Sequence, residues 1–440
     1  MKFKFFFFIT FLISITAFCQ DGFQWNSKRS KIDIPVQVVA NLVIIPVEIN
    51  NVKLHMLLDT GAESSMIFSL PENDSIEFAH TKKVMIKGLG SEEPIEALYS
   101  GKNAIDISGY KNSRFPLLIV LDQDVNISAR LGIEVNGILN NSFFKNKIIE
   151  INYAKKKLTI YKDREILEKR KIEAYDKIPI RIIRERPYVN VETKIGETQM
   201  NLNLLVDIGL SDGLWLFEND SIKVKTANFE DILGRGLNGS IIGKKSRVNH
   251  ISISDFEFSE ALVSYPYKEY FPKLGIAEGR NGSLGGGIFH RFTVIFDYQE
   301  NRILLKPNSK FSDPFNYNMS GMEVQHNGVE FVKESMRTTD NRTNASEDVS
   351  HLIKGGSNLL YKFTLKPVFE VATIRKNSPA ALAGILPGDK VIKLNKKNIH
   401  KYTIQKITEL LQSEEGKWIY IDVERNGYLI SYKFQLQKII

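Results

Sequence analysis

Cysteine is almost absent: Cys19 is the only one in 440 residues, and it closes an apolar stretch at the N-terminus. Disulfides, thiolate nucleophiles and cysteine-ligated metals are therefore not expected in the body of the chain. Histidine is nearly as scarce, with seven isolated residues and no HExxH or other metal-ligand spacing. Neither a metal nor another cofactor is expected. After residue 20 no apolar run approaches the ~18 residues of a membrane-crossing helix, so no membrane span is expected. A basic stripe is missing too. The net charge of +8 is spread thinly, with basic residues interleaved with acids, and this excludes a nucleic-acid partner. GRGLNG (234–239) satisfies GxGxxG, but strand-like sequence follows it, so it does not open a phosphate-binding helix.

The first twenty residues carry Lys2 and Lys4, an apolar run from Phe5 to Phe18, and Ala17-Phe18-Cys19 as a small-x-small site. That pattern predicts a cleaved signal peptide over 1–19 and export to the periplasm or the outside; a lipid on Cys19 is the less favoured alternative, because Phe18 stands where a lipoprotein signal has a small residue.

The body is duplicated. LLDTGAESSMIF (57–68) is echoed by LVDIGLSDGLWLF (205–217), ENDSI (72–76) recurs at 218–222, and the segment from Asn136 returns from Asn281. The three matches are collinear, at offsets of 148, 146 and 145 residues. Each half reads as short apolar or alternating runs broken by Asn-Asn or Gly turns, which is strand and hairpin texture. Each ends in two strands joined by a turn. The fold class is mainly β, with homologous lobes over 30–165 and 170–310. A compositionally distinct unit follows over 318–440, with a polar loop insertion near 334–358. In that unit Ser378-Pro379 predicts a helix start closed by Gly384, and ITELLQ predicts a second helix.

The most informative local feature is an aspartate at the end of an apolar strand, followed by a glycine turn: Asp59-Thr60-Gly61 and Asp207-Ile208-Gly209. If the lobes pack about a pseudo-two-fold axis, the carboxylates meet. Two carboxylates about 3 Å apart cannot both ionise, so they share a proton. Such a pair can activate a water while protonating the carbonyl it attacks.

These motifs, over roughly residues 36–307, resemble pepsin- and retropepsin-like aspartic proteases. The resemblance implies a catalytic dyad of Asp59 and Asp207 with Thr60, Gly61 and Gly209 supporting the loops. It also implies an extended peptide substrate and glycine-rich flaps around Gly88, Gly90 and Gly236. Thr60 would make the cross-lobe hydrogen bond. Ile208 stands where the family has Thr or Ser, Leu210 where it has a small residue, and Asn140 where a Gly is usual. Ile208 cannot return the cross-lobe bond, so a catalytically weak or silent peptide-binding protein is the alternative reading.

The last unit, with NSPAALAGILPGDKVIKLN (377–395) and IDVERNG (421–427), resembles a PDZ domain of the type appended to periplasmic proteases. That resemblance implies capture of peptide C-termini or extended segments at a sheet edge. Leu365, Lys366, Pro367, Val368 and Phe369 are the expected edge.

Overall fold

A computed structural model describes residues 22–72, 74–90, 93–120, 127–169, 172–237, 239–271, 276–337 and 359–440. The expected signal peptide with Cys19, and 338–358 of the expected insertion, lie outside them.

The chain is mainly β. Strand Lys31–Pro35 shows why: Ile32 and Ile34 are buried while Lys31 and Asp33 face out, the period-two pattern of a half-buried strand. Asn50 and Asn51, at φ 47° and 69°, turn strand Leu42–Ile49 into Val52–Leu58. Paired positive φ is the hairpin geometry whose twist suits the flanking strands. Gly196 (φ 57°) joins Arg186–Ile195 to Thr198–Asp207 in the second half. Among the described residues the halves form sheets of nine and eight strands.

A third, six-stranded sheet is shared. Strand Ile148–Asn152 of the first half pairs antiparallel with Phe292–Asp297 of the second, and each is followed outward by its own hairpin partner. Pairing the two copies of one repeat element generates the pseudo-two-fold axis that the duplication implied. Asp297, fully buried at the end of strand Phe292–Asp297, is held by Nη1 and Nη2 of Arg164 at 3.1 and 2.9 Å and by Arg302 Nε at 2.9 Å. Such pairing offsets the desolvation of a buried carboxylate.

The C-terminal unit has a sheet in the order Met322–Arg337, Leu359–Ile374, Lys390–Leu394, Trp418–Arg425, Tyr428–Gln435. Its first helix, Pro379–Ala383, starts at a Ser378 cap and stops at Gly384 in the left-handed region; the second is Ile404–Leu411. The first strand runs to Arg337, paired with Leu359. Residues 334–337, expected as part of a loop, therefore extend a two-stranded ribbon. Their polar composition masks the alternation that signals a strand.

Candidate active site

The strand Val52–Leu58 delivers Asp59, and Thr198–Asp207 delivers Asp207. In each lobe a segment from the end of the repeat lies parallel alongside: Gly137–Leu139 beside Met56–Leu58, and Gly282–Gly285 beside Leu204–Asp207. These neighbours fix where each loop turns. Asp59 Oδ1 accepts from the N–H of Gly61 at 2.7 Å and of Ala62 at 2.9 Å, and Asp207 Oδ1 from Gly209 N–H at 3.1 Å. The loops interlock. A Cβ on Gly61 would stand 2.8 Å from Asp207 Cγ, and one on Gly209 only 2.3 Å from Asp59 Cγ. The two carboxyls lie close enough across the seam for the charge of one to act on the other, and both line a cleft of about 610 Å³.

Burial raises both carboxyls above the ordinary aspartate range. Asp59 is restrained by the Gly61 and Ala62 N–H groups, by Asp207 and by Arg186. Asp207 is raised by burial and then by the charge of Asp59, to about 8, against the pull of Arg280. Burial and the neighbouring charge, which raise Asp207 to about 8, favour a proton kept on the pair through neutral pH.

Thr60, fully buried, clamps the lobes: its hydroxyl donates to Val206 O at 2.6 Å and accepts from Ile208 N–H at 3.1 Å. Ile208 is also fully buried but has no hydroxyl to return the arrangement, so the clamp is one-sided. Thr60→Val keeps the shape and orphans two buried backbone groups. It is expected to lower unfolding stability by about 2–4 kcal/mol, read by denaturant titration. An unchanged midpoint would show that the clamp carries no weight. Asn140 also has a role: its side chain accepts from Ser65 Oγ at 2.9 Å and donates to Glu63 O at 2.8 Å, bracing the Asp59 loop.

Two hairpins roof the cleft, Thr81–Ile86 with Ile95–Ile107 and Asn228–Gly236 with Gly239–Ile253. Their glycine-bearing tips meet. A Cβ on Gly236 would fall 2.0 Å from Leu89 O, between Gly88 and Gly90, so only glycine fits there. Each tip packs on the other lobe. Leu89 joins the cluster of Trp215, Leu233 and Phe271, and Leu237 joins Met66 and Val120.

Two site residues are not legible in the sequence, Arg186 and Arg280, both in the cleft wall. Arg186 sits in a run that reads as ordinary mixed charge. The available signal is asymmetry between the halves: Arg186 opens its strand as Leu42 opens the equivalent one, and Arg280 falls where the repeat has Val135.

The five residues expected as a peptide-accepting edge are placed differently. Leu365 to Phe369 lie on Leu359–Ile374, which is flanked by Met322–Arg337 and, at Glu370, by Lys390–Leu394. Phe369 is core, and the outermost strand is Met322–Arg337. Sequence alternation marks a strand without marking its place in the sheet order. Beside that outer strand packs helix Ile404–Leu411, and helix Ser128–Leu131 of the first lobe contacts both. Gln405 Nε2 donates to Leu131 O at 2.6 Å. Gly132, at φ 64°, leaves so little room that a Cβ would stand 2.7 Å from Ile404 Cγ1. Gly132→Val is therefore expected to push the C-terminal unit off the first lobe. The readouts are faster nicking of the connector around Ser312–Asn316 by an added protease and a lower melting temperature. Wild-type nicking and melting in the variant would contradict a tight seam.

No curated protein matches the chain in sequence. Among solved structures, the aspartic proteinase from Irpex lacteus is similar at a TM-score of 0.40 and 9% identity, over 65% of this chain and 100% of that one. Residues 370–425 match the PDZ domain family, so the chain carries a PDZ domain at its C-terminal end.

Proposed function

We propose that the protein is an exported endopeptidase that cuts extended peptide segments with the Asp59–Asp207 pair. The observation that carries this reading is the meeting of two carboxyls, delivered by equivalent and interlocked loops, in one roofed cleft. With one proton between them, the ionised carboxyl takes a proton from water as its oxygen attacks the peptide carbonyl carbon. The protonated carboxyl donates to the carbonyl oxygen. Proton return to the amide nitrogen then lets the C–N bond break. No metal or covalent intermediate is needed. The glycine-tipped hairpins act as paired flaps that open for substrate and close over it, and Thr60, Gly61 and Gly209 keep the carboxyls in register. The PDZ domain recruits extended peptide or protein segments along its outer strand, after helix Ser128–Leu131 yields its place.

A silent peptide-binding protein is favoured by one observation, the one-sided clamp at Ile208. Incubation of an unfolded protein mixture with wild type, Asp59→Asn and Asp207→Asn between pH 3 and 8 separates the two. Fragments from wild type alone support the peptidase; identical patterns from all three support the binder.

A further inference from the structure

Arg186 is 7% exposed, yet its Nε and Nη2 make no hydrogen bond among the described residues. Its charged neighbours are Asp59 and Glu63, whose Oε1 is 3.2 Å from Nη2. Glu63 is 69% exposed, and an ion pair to so open a partner holds weakly. Arg280 is fixed from the other side: Nε donates to Gly282 O at 3.0 Å, Nη2 to Ser283 Oγ at 2.6 Å, and the guanidinium covers the Phe217 ring. Arg186 is near enough to Arg280 to disfavour its charge. Tyr188, fully buried and within electrostatic reach of Arg280, has a hydroxyl without a hydrogen-bond partner among the described residues. Like charges crowded beside unpaired donors cost stability, and such local conflicts concentrate at functional sites.

The surrounding wall has the same sign. Lys87, Arg130, Arg186, Arg235 and Arg280 line the cleft against Asp59, Glu63 and Asp207. With one proton on the aspartate pair, the described lining carries a charge of about +3. A cleft of one sign with low-dielectric walls focuses its field on ligands of the other.

We propose that Arg186 and Arg280 form a carboxylate-binding subsite beside the aspartate pair, so that the cleft selects peptides presenting an acidic side chain or a free chain end near the scissile bond. The inference rests on the peptidase reading for what is cut, but not for what is bound. A guanidinium fork suits a carboxylate, and the charged hydrogen bonds it forms are stronger than neutral ones. Glu63, exposed and singly held, is displaced by the incoming carboxylate.

The test uses the full-length chain carrying Asp207→Asn, so that bound peptide is not consumed, and fluorescence anisotropy with three labelled peptides of one length. The first has an internal Glu and blocked ends, the second Gln at that position and blocked ends, and the third Gln with a free C-terminal carboxylate. At least one carboxylate peptide is expected to bind about tenfold or more tighter than the blocked Gln peptide, and which one identifies the source. The preference is expected to fall below about threefold in Arg186→Gln and Arg280→Gln and to shrink in 0.5 M salt. Arg186→Lys, which keeps charge without the fork, should fall between. Equal binding of all three peptides, or a preference that survives both glutamine variants, overturns the subsite. The peptide comparison needs no arginine variant, so misfolding of one does not blunt it. Cleavage of the Glu and Gln peptides by wild type keeps the two proposals apart. Equal cutting of both leaves a peptidase without the subsite. Selective binding with no cutting leaves the subsite without the peptidase.

Discussion

Replacing either Asp59 or Asp207 by asparagine is expected to lower peptide hydrolysis by about 10³-fold or more, because the proposed mechanism gives each carboxyl a separate proton to move. The same substitutions make an opposite prediction for stability. Asp207 is raised by burial and by the charge of Asp59, to about 8, against ~3.9 for an aspartate in an unfolded chain. A folded-state value above the unfolded one means that the folded chain binds the extra proton. Its contribution to stability is complete below the unfolded value and is lost as pH rises through the folded one. Wild type should therefore lose melting temperature between about pH 4 and pH 8. Asp207→Asn, which cannot ionise, should lose less and be the more stable protein at pH 8. Activity should form a bell in pH, falling at low pH as the pair gains its second proton and again as the last one leaves near pH 8. Thermal melts at pH 5 and pH 8, with rates across the same range, check both. A variant that melts below wild type at pH 8 would show that the carboxyl pair does not strain the fold.

The second large effect is steric. Gly209→Ala places a methyl carbon 2.3 Å from Asp59 Cγ and 2.6 and 2.7 Å from its carboxylate oxygens. Gly61→Ala makes the reciprocal intrusion at 2.8 Å from Asp207 Cγ. Neither glycine has positive φ, so the damage comes from contact with the opposite lobe and not from backbone conformation. Displacing a reacting carboxyl by about 1 Å costs on the order of 10²-fold in rate. Gly209→Ala should lose at least that much in kcat/KM, and Gly61→Ala less. The order matters as much as the size: a Gly209→Ala variant within threefold of wild type would mean that the carboxyls do not meet across the lobes.

The parts of this architecture legible in the sequence are those written within a few residues or written twice. Asn50-Asn51 and Gly196 announce hairpins because their φ values suit tight turns. Ser378 and Gly384 announce the ends of a helix because each satisfies groups the helix leaves open. Asp59 and Asp207 stand out because duplication turns two ordinary strand-end turns into one symmetric statement. The glycines at 88, 90 and 236 are legible as hairpin tips, but their meeting over the cleft is not.

By itself, then, the sequence determined the mainly β character, the repeated halves, the two aspartates and the helix caps, since local backbone preference and repetition need no knowledge of neighbours in space. Tertiary structure alone decided that Arg186 and Arg280 stand beside the pair, that Leu89 and Leu237 cross between lobes, and that Met322–Arg337 ends its sheet. Those outcomes depend on which surfaces pack together across more than a hundred residues of chain. Side-chain periodicity says which face of a strand is buried, and nothing about what is buried against it.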